Sequence, residues 1–126
     1  TDIQAAIGRE QLKQFKKFRE KRELIFLTYK SAGLKLLDAE DDKHTPIRYR
    51  AVLKTGKPNE IIEQLNNENI RAIIPIEKDE LLGEPNNYIN AEKFSENTVS
   101  LRIYPSLDMG VVNKICVTVS RFEGIA

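Results

Sequence analysis

The sequence predicts an α+β domain of two layers: a three-stranded, mainly antiparallel sheet covered by helices, with a long helix in front. Three observations carry this. Ile3, Ile7, Phe15, Phe18, Arg22, Ile25, Phe26 and Tyr29 recur at helical spacing and form one stripe. Three later stretches, at 47–53, 70–76 and 99–103, are alternating or β-branched, as strands are. Shorter helical patterns separate them, and helices packed to one side of such a sheet make a two-layer domain.

The first helix is expected over residues 1–33. Thr1 and Gln4 have capping-box spacing, and Asp2 places a carboxylate at the positive end of the helix dipole. Gly33 supplies the stop, since glycine enters the left-handed region freely. At 1.5 Å per residue such a helix is ~45 Å long, more than a domain of this size needs. Its length and its start on the first residue lead us to expect a piece of a longer protein.

Residues 34–37 are short and apolar, and 38–43 form a charged loop. Ile47, Tyr49, Ala51 and Leu53 alternate with Arg48, Arg50 and Val52, which predicts a half-buried strand. Thr55-Gly56-Lys57 turns the chain, and Pro58 suits the first position of a second helix that turns Ile61, Ile62 and Leu65 inward. Residues 70–76 read as a second strand, limited at one end by Pro75. Residues 77–87 are loop, and 90–97 a short helix with Phe94 inward. Val99, Leu101 and Ile103 alternate with Ser100 and Arg102 as a third strand, closed by Pro105. The last segment is ambiguous: Val111, Val112 and 117–119 have strand propensity. Met109, Val112, Ile115, Cys116, Val119 and Phe122 have helical spacing, and Asp108 can cap.

Four segments, in order, carry a resemblance. They are Thr1-Asp2-Ile3-Gln4-Ala5-Ala6-Ile7-Gly8 followed by Gln11-Leu12; His44-Thr45-Pro46-Ile47-Arg48-Tyr49-Arg50; Ile74-Pro75-Ile76-Glu77 followed by Glu80-Leu81-Leu82; and Asn90-Ala91-Glu92 with the run from Ser95 to Leu107. Together they resemble the sugar aminotransferases of the DegT/DnrJ/EryC1/StrS family, fold-type-I enzymes that use pyridoxal phosphate. The resemblance implies an interdomain-type helix at 1–33 and the C-terminal small domain at 34–126. It favours a helix for the last segment. It implies a whole enzyme that moves an amino group from glutamate to a nucleotide-linked keto-sugar, for polysaccharide, lipopolysaccharide or antibiotic sugars. The cofactor's lysine, its acidic partner and its phosphate cradle lie upstream in the family, in a large domain. No catalytic or cofactor-binding residue is therefore assigned here, and no pyridoxal phosphate is expected on this chain alone. The implied partners are that large domain and a second subunit. His44 and Arg48 are the candidates for lying near the substrate. Many relatives carry a His-Tyr-Pro segment and a further histidine where this chain has Ile73-Ile74-Pro75-Ile76-Glu77, so no histidine role transfers there. Met109-Gly110-Val111 likewise stands where relatives are acidic.

Composition excludes several classes. With 126 residues this is one domain, and 40% hydrophobic with 31% charged residues reads as globular. No apolar run approaches ~20 residues, so no membrane span is expected, and no signal peptide is visible. A net charge of +1 argues against a general polyanion binder. The seven basic and three acidic residues between Arg9 and Glu23 suit an exposed helix with i,i+4 pairs such as Lys16–Glu20 and Arg19–Glu23. Cys116 is the only cysteine, which fits a reducing cytoplasm. A single histidine makes no metal site without suitably spaced partners. Glu77 and Glu80 have the types for acid and base work, but three apart in a loop they suit solvent better. The rival readings are a stand-alone regulatory ligand-binding module and a basic-helix nucleic-acid binder.

Overall fold

In the computed structural model, which describes residues 1–39, 43–84 and 87–125, Thr1 starts the first helix as its capping box requires. The Gln4 amide donates to Thr1 Oγ1 at 3.4 Å, and the Thr1 amino group donates to Gln4 Oε1 at 3.1 Å. This helix, α1 (Asp2–Ser31), ends at Gly33 with φ of 84°. There the Gly33 amide donates to Lys30 and the Leu34 amide to Tyr29, the bond pair of a glycine-terminated helix. A Cβ at Gly33 would also stand 2.9 Å from Ile125, so position 33 is closed to other residues twice over.

The remaining elements are β1 (Ala51–Lys54), α2 (Pro58–Asn67), a 3-10 turn (Lys78–Glu80), α3 (Ile89–Glu96), β2 (Thr98–Leu101) and α4 (Met109–Glu123). Pro58 opens α2. Asn69, at φ of 61°, closes it with the same bond pattern that Gly33 gives α1. Asp108 Oδ1 accepts from the Gly110 amide at 2.8 Å and caps α4, which settles the ambiguous last segment as helix.

β1 and β2 pair antiparallel, with Ala51 opposite Leu101 and Leu53 opposite Val99. All four side chains are buried on one face. Ile25, Phe26 and Tyr29 of α1, Ile61 and Leu65 of α2, and Val112, Ile115 and Val119 of α4 complete the core against them. The Tyr29 hydroxyl donates to the Arg102 carbonyl at 2.8 Å, and burial pushes its pKa up.

Three expectations need correction. Among the described residues the sheet has two strands, not three: 70–76 gives one bridge, Ile73 to Ser100. Pro75 has no N–H to donate, and the Arg71 carbonyl accepts from Arg102 Nε at 3.0 Å instead of from a strand. The apolar run 34–37 lies along the other edge, where the Leu37 amide donates to Val52 and the Lys54 amide to Lys35. The strand expected at 47–53 begins only at Ala51, with Ile47 and Tyr49 exposed. Phe94 is half exposed, and Ser95 takes the buried place on α3. The expected loops at 38–43 and 77–87 lie partly outside the described residues.

Candidate functional site

The sheet's second face is not covered by the core helices. Val52 and Ser100 pair there. A groove of about 550 Å³ runs over that face, walled by Leu37, Val52, Ile76, Leu81 and Phe94, with Arg50 at its mouth. Ser95, buried at its floor, and Thr98 bring hydroxyls; Thr98 Oγ1 donates to the Phe94 carbonyl at 2.6 Å. A shallower recess of about 350 Å³ shares Leu37, Arg50 and Val52 and extends past Tyr49 and Arg48 to Pro46. The Arg50 guanidinium lies 5.6 Å from the Tyr49 ring centroid. Beyond Leu81, Gly83 supports the Tyr88 ring, since a Cβ there would stand 2.5 Å from it, and φ of 130° suits glycine alone. The whole face can receive a largely apolar body whose charged end is negative.

The two sequence candidates fall differently. His44 is exposed and lines neither recess. Arg48 borders the smaller one but is turned inward. Its guanidinium carbon lies 3.7 Å from the centroid of the buried Phe26 ring. Nε and Nη2 donate to Glu23 at 2.9 and 3.4 Å, and Nη1 donates to Asp38 at 2.6 Å. Burial opposes its charge, and the carboxylates of Glu23 and Asp38 outweigh that and raise its pKa. Asp38 is held down to about 2, first by its bond from Lys30 at 2.7 Å and then, against some desolvation, by Arg48. Glu23, which helical spacing assigns to Arg19, thus accepts from a residue 25 positions away. No short-range pattern signals that partner. Lys16 and Glu20 do approach as expected, at 3.9 Å.

Glu77 and Glu80 are not an acid–base pair. The Glu77 amide donates to Glu80 Oε2 at 2.8 Å, a capping box around the 3-10 turn, and both residues are exposed. Among the described residues no three His, Cys, Asp or Glu side chains could hold a metal, and no helix is long and apolar enough to cross a membrane. Every described lysine is exposed. A lysine that binds pyridoxal phosphate covalently needs desolvation to lower its pKa. Lys78 is shifted the other way by its ion pair with Glu96. The described lysines do not fit that cofactor.

Similar proteins share this fold. A DegT DnrJ EryC1 StrS aminotransferase from Brucella abortus matches 97% of the chain at 22% identity, with a TM-score of 0.84. DesV from S. venezuelae, solved with a ketimine intermediate, matches 98% at 19% identity and 0.85. PseC from Helicobacter pylori, an aminotransferase of pseudoaminic acid biosynthesis, matches 98% at 23% and 0.79. The chain covers 35%, 36% and 38% of those three structures, so it spans about a third of their length. No curated protein matches it. The family profile of the DegT/DnrJ/EryC1/StrS aminotransferases covers residues 1–120, from the cap of α1 to within α4. The chain belongs to that family.

Proposed function

We propose that this chain is the small domain of a pyridoxal-phosphate-dependent aminotransferase that acts on nucleotide-linked keto-sugars, with residues 1–33 as its interdomain helix and 34–126 as the domain proper. The whole enzyme moves an amino group from glutamate to the sugar ketone, in the cytoplasm, as a homodimer. The single observation that carries this reading is the family match over residues 1–120, which takes in all of α1. The α1 stripe supports it. Only Ile25, Phe26 and Tyr29 are buried there, while Ile3 and Ile7 are 74% and 56% exposed. An apolar helix face of that extent fits a neighbouring domain. The exposed lysines fit a cofactor held by that neighbour. This domain supplies a wall of the site, and the loop that carries His44 and Arg48 borders the substrate.

The test uses the product of the whole gene beside the 126-residue chain. Each is mixed with pyridoxal phosphate, reduced with borohydride and mapped by mass spectrometry. The whole product is also given glutamate and a panel of nucleotide-linked keto-sugars. The reading expects one trapped lysine in the whole product, outside residues 1–126, and release of 2-oxoglutarate with a sugar of the panel. A stoichiometric adduct on a lysine of the 126-residue chain overturns it. So does a whole product that traps no cofactor.

A further inference from the structure

Arg48 occupies a place where the residue pattern expects an outward side chain. Ile47 and Tyr49, on either side, are 62% and 71% exposed, whereas the Arg48 side chain is 11% exposed. The Tyr49 amide donates back to the Ile47 carbonyl at 2.8 Å, a local bend that turns Arg48 in and its neighbours out. The bend by itself ties nothing to the core. The guanidinium does. It stacks on Phe26 and bonds Glu23, both on α1, and it bonds Asp38, which follows the 34–37 edge of the sheet. Three separate parts of the chain meet at one side chain.

The geometry points to Arg48 as a positioning residue: its guanidinium seats the 46–50 segment on the last turns of α1, so that Tyr49 lines the smaller recess and Arg50 lines both that recess and the groove. Arg48 itself is not offered to a ligand. Three of its five N–H donors are directed at carboxylates, and one face of its plane lies on a ring. Lysine cannot replace it, because an ammonium has neither the planar face nor the fork that meets two carboxylates at once. This goes beyond the proposed reading. It concerns the order of one loop, and it stands or falls whether or not the whole enzyme transaminates a sugar.

Backbone ¹⁵N relaxation on the 126-residue chain tests it. The parent is compared with Arg48→Lys, Arg48→Met and Glu23→Gln, with urea midpoints recorded for each. In the parent, order parameters at 47–50 should lie near the rigid value of about 0.85. In both Arg48 variants they should fall below about 0.6, while 98–101 and 109–123 keep the parent's values. Arg48→Lys should not rescue the loop, and Glu23→Gln should give intermediate order there with an unchanged core. A parent loop that is already mobile overturns the inference. So does an ordered loop in Arg48→Met, or full rescue by lysine. Should both Arg48 variants unfold, Glu23→Gln decides alone, and an unchanged loop in that variant overturns the inference.

Discussion

Asp38 gives the Arg48 clamp a pH dependence whose sign is fixed. Its carboxyl is held down to about 2 by Lys30 and Arg48. An aspartate in the unfolded chain titrates near 3.9. The folded state therefore favours the charged form, and this stabilisation is fully present above about pH 4 and lost as pH falls through about 2. Asp38→Asn should lower the urea midpoint at pH 6, and its gap from the parent should narrow steadily between about pH 4 and pH 2. A gap that stays constant across that range would show that the charge does not matter. The clamp was only partly legible in the sequence. The family resemblance offers Arg48 beside His44 as a substrate neighbour, and its alternation with apolar residues points it outward in a strand. The ring and two carboxylates that turn it inward are distant in sequence or lie on another element, so no local pattern carries them. By contrast, Thr1, Gly33, Pro58 and Asp108 were readable because a cap acts on residues within a few positions of itself.

At the scale of elements, the helices were legible and the sheet less so. Helical periodicity runs over many residues and survives one or two exceptions. The strands are four residues each, so a single bend removes half of the signal. The strand expected at 70–76 failed on hydrogen bonding rather than on side-chain type. Residues 70–76 are β-branched enough to pair, but Pro75 donates nothing and the Arg71 carbonyl belongs to Arg102. Register is the part most exposed to test, because a slip of one residue exchanges the two faces of a strand. Leu101, 3% exposed and opposite Ala51, should cost about 2–5 kcal/mol when cut to alanine. Arg102→Ala loses one side-chain bond to a carbonyl and should cost about 1 kcal/mol. Urea midpoints in the reverse order would mean that β2 faces the other way.

At the scale of the whole molecule, α1 is the feature that the domain's own packing does not explain. It has 30 residues, hence ~45 Å, while twice the radius of gyration expected for a chain this size is ~28 Å. Its last turns join the core through Ile25, Phe26 and Tyr29, and its first half carries Ile3, Ile7, Leu12 and Phe15 into solvent. The length of this helix and its apolar stripe were plain in the sequence. Which part of the stripe the domain covers was not, since periodicity says which face is apolar and nothing of what lies against it. The central claim is that the first half of α1 belongs to an interface with a neighbouring domain. The most direct test is sedimentation velocity, with urea unfolding alongside, on the Ile3→Glu/Ile7→Glu double variant and its parent. The account predicts a parent that self-associates or frays through this end, and a monomeric double variant whose stability matches the parent's monomer within about 0.5 kcal/mol. A parent that is already monomeric, and that the two substitutions unfold, would place Ile3 and Ile7 in the domain's own core and contradict it.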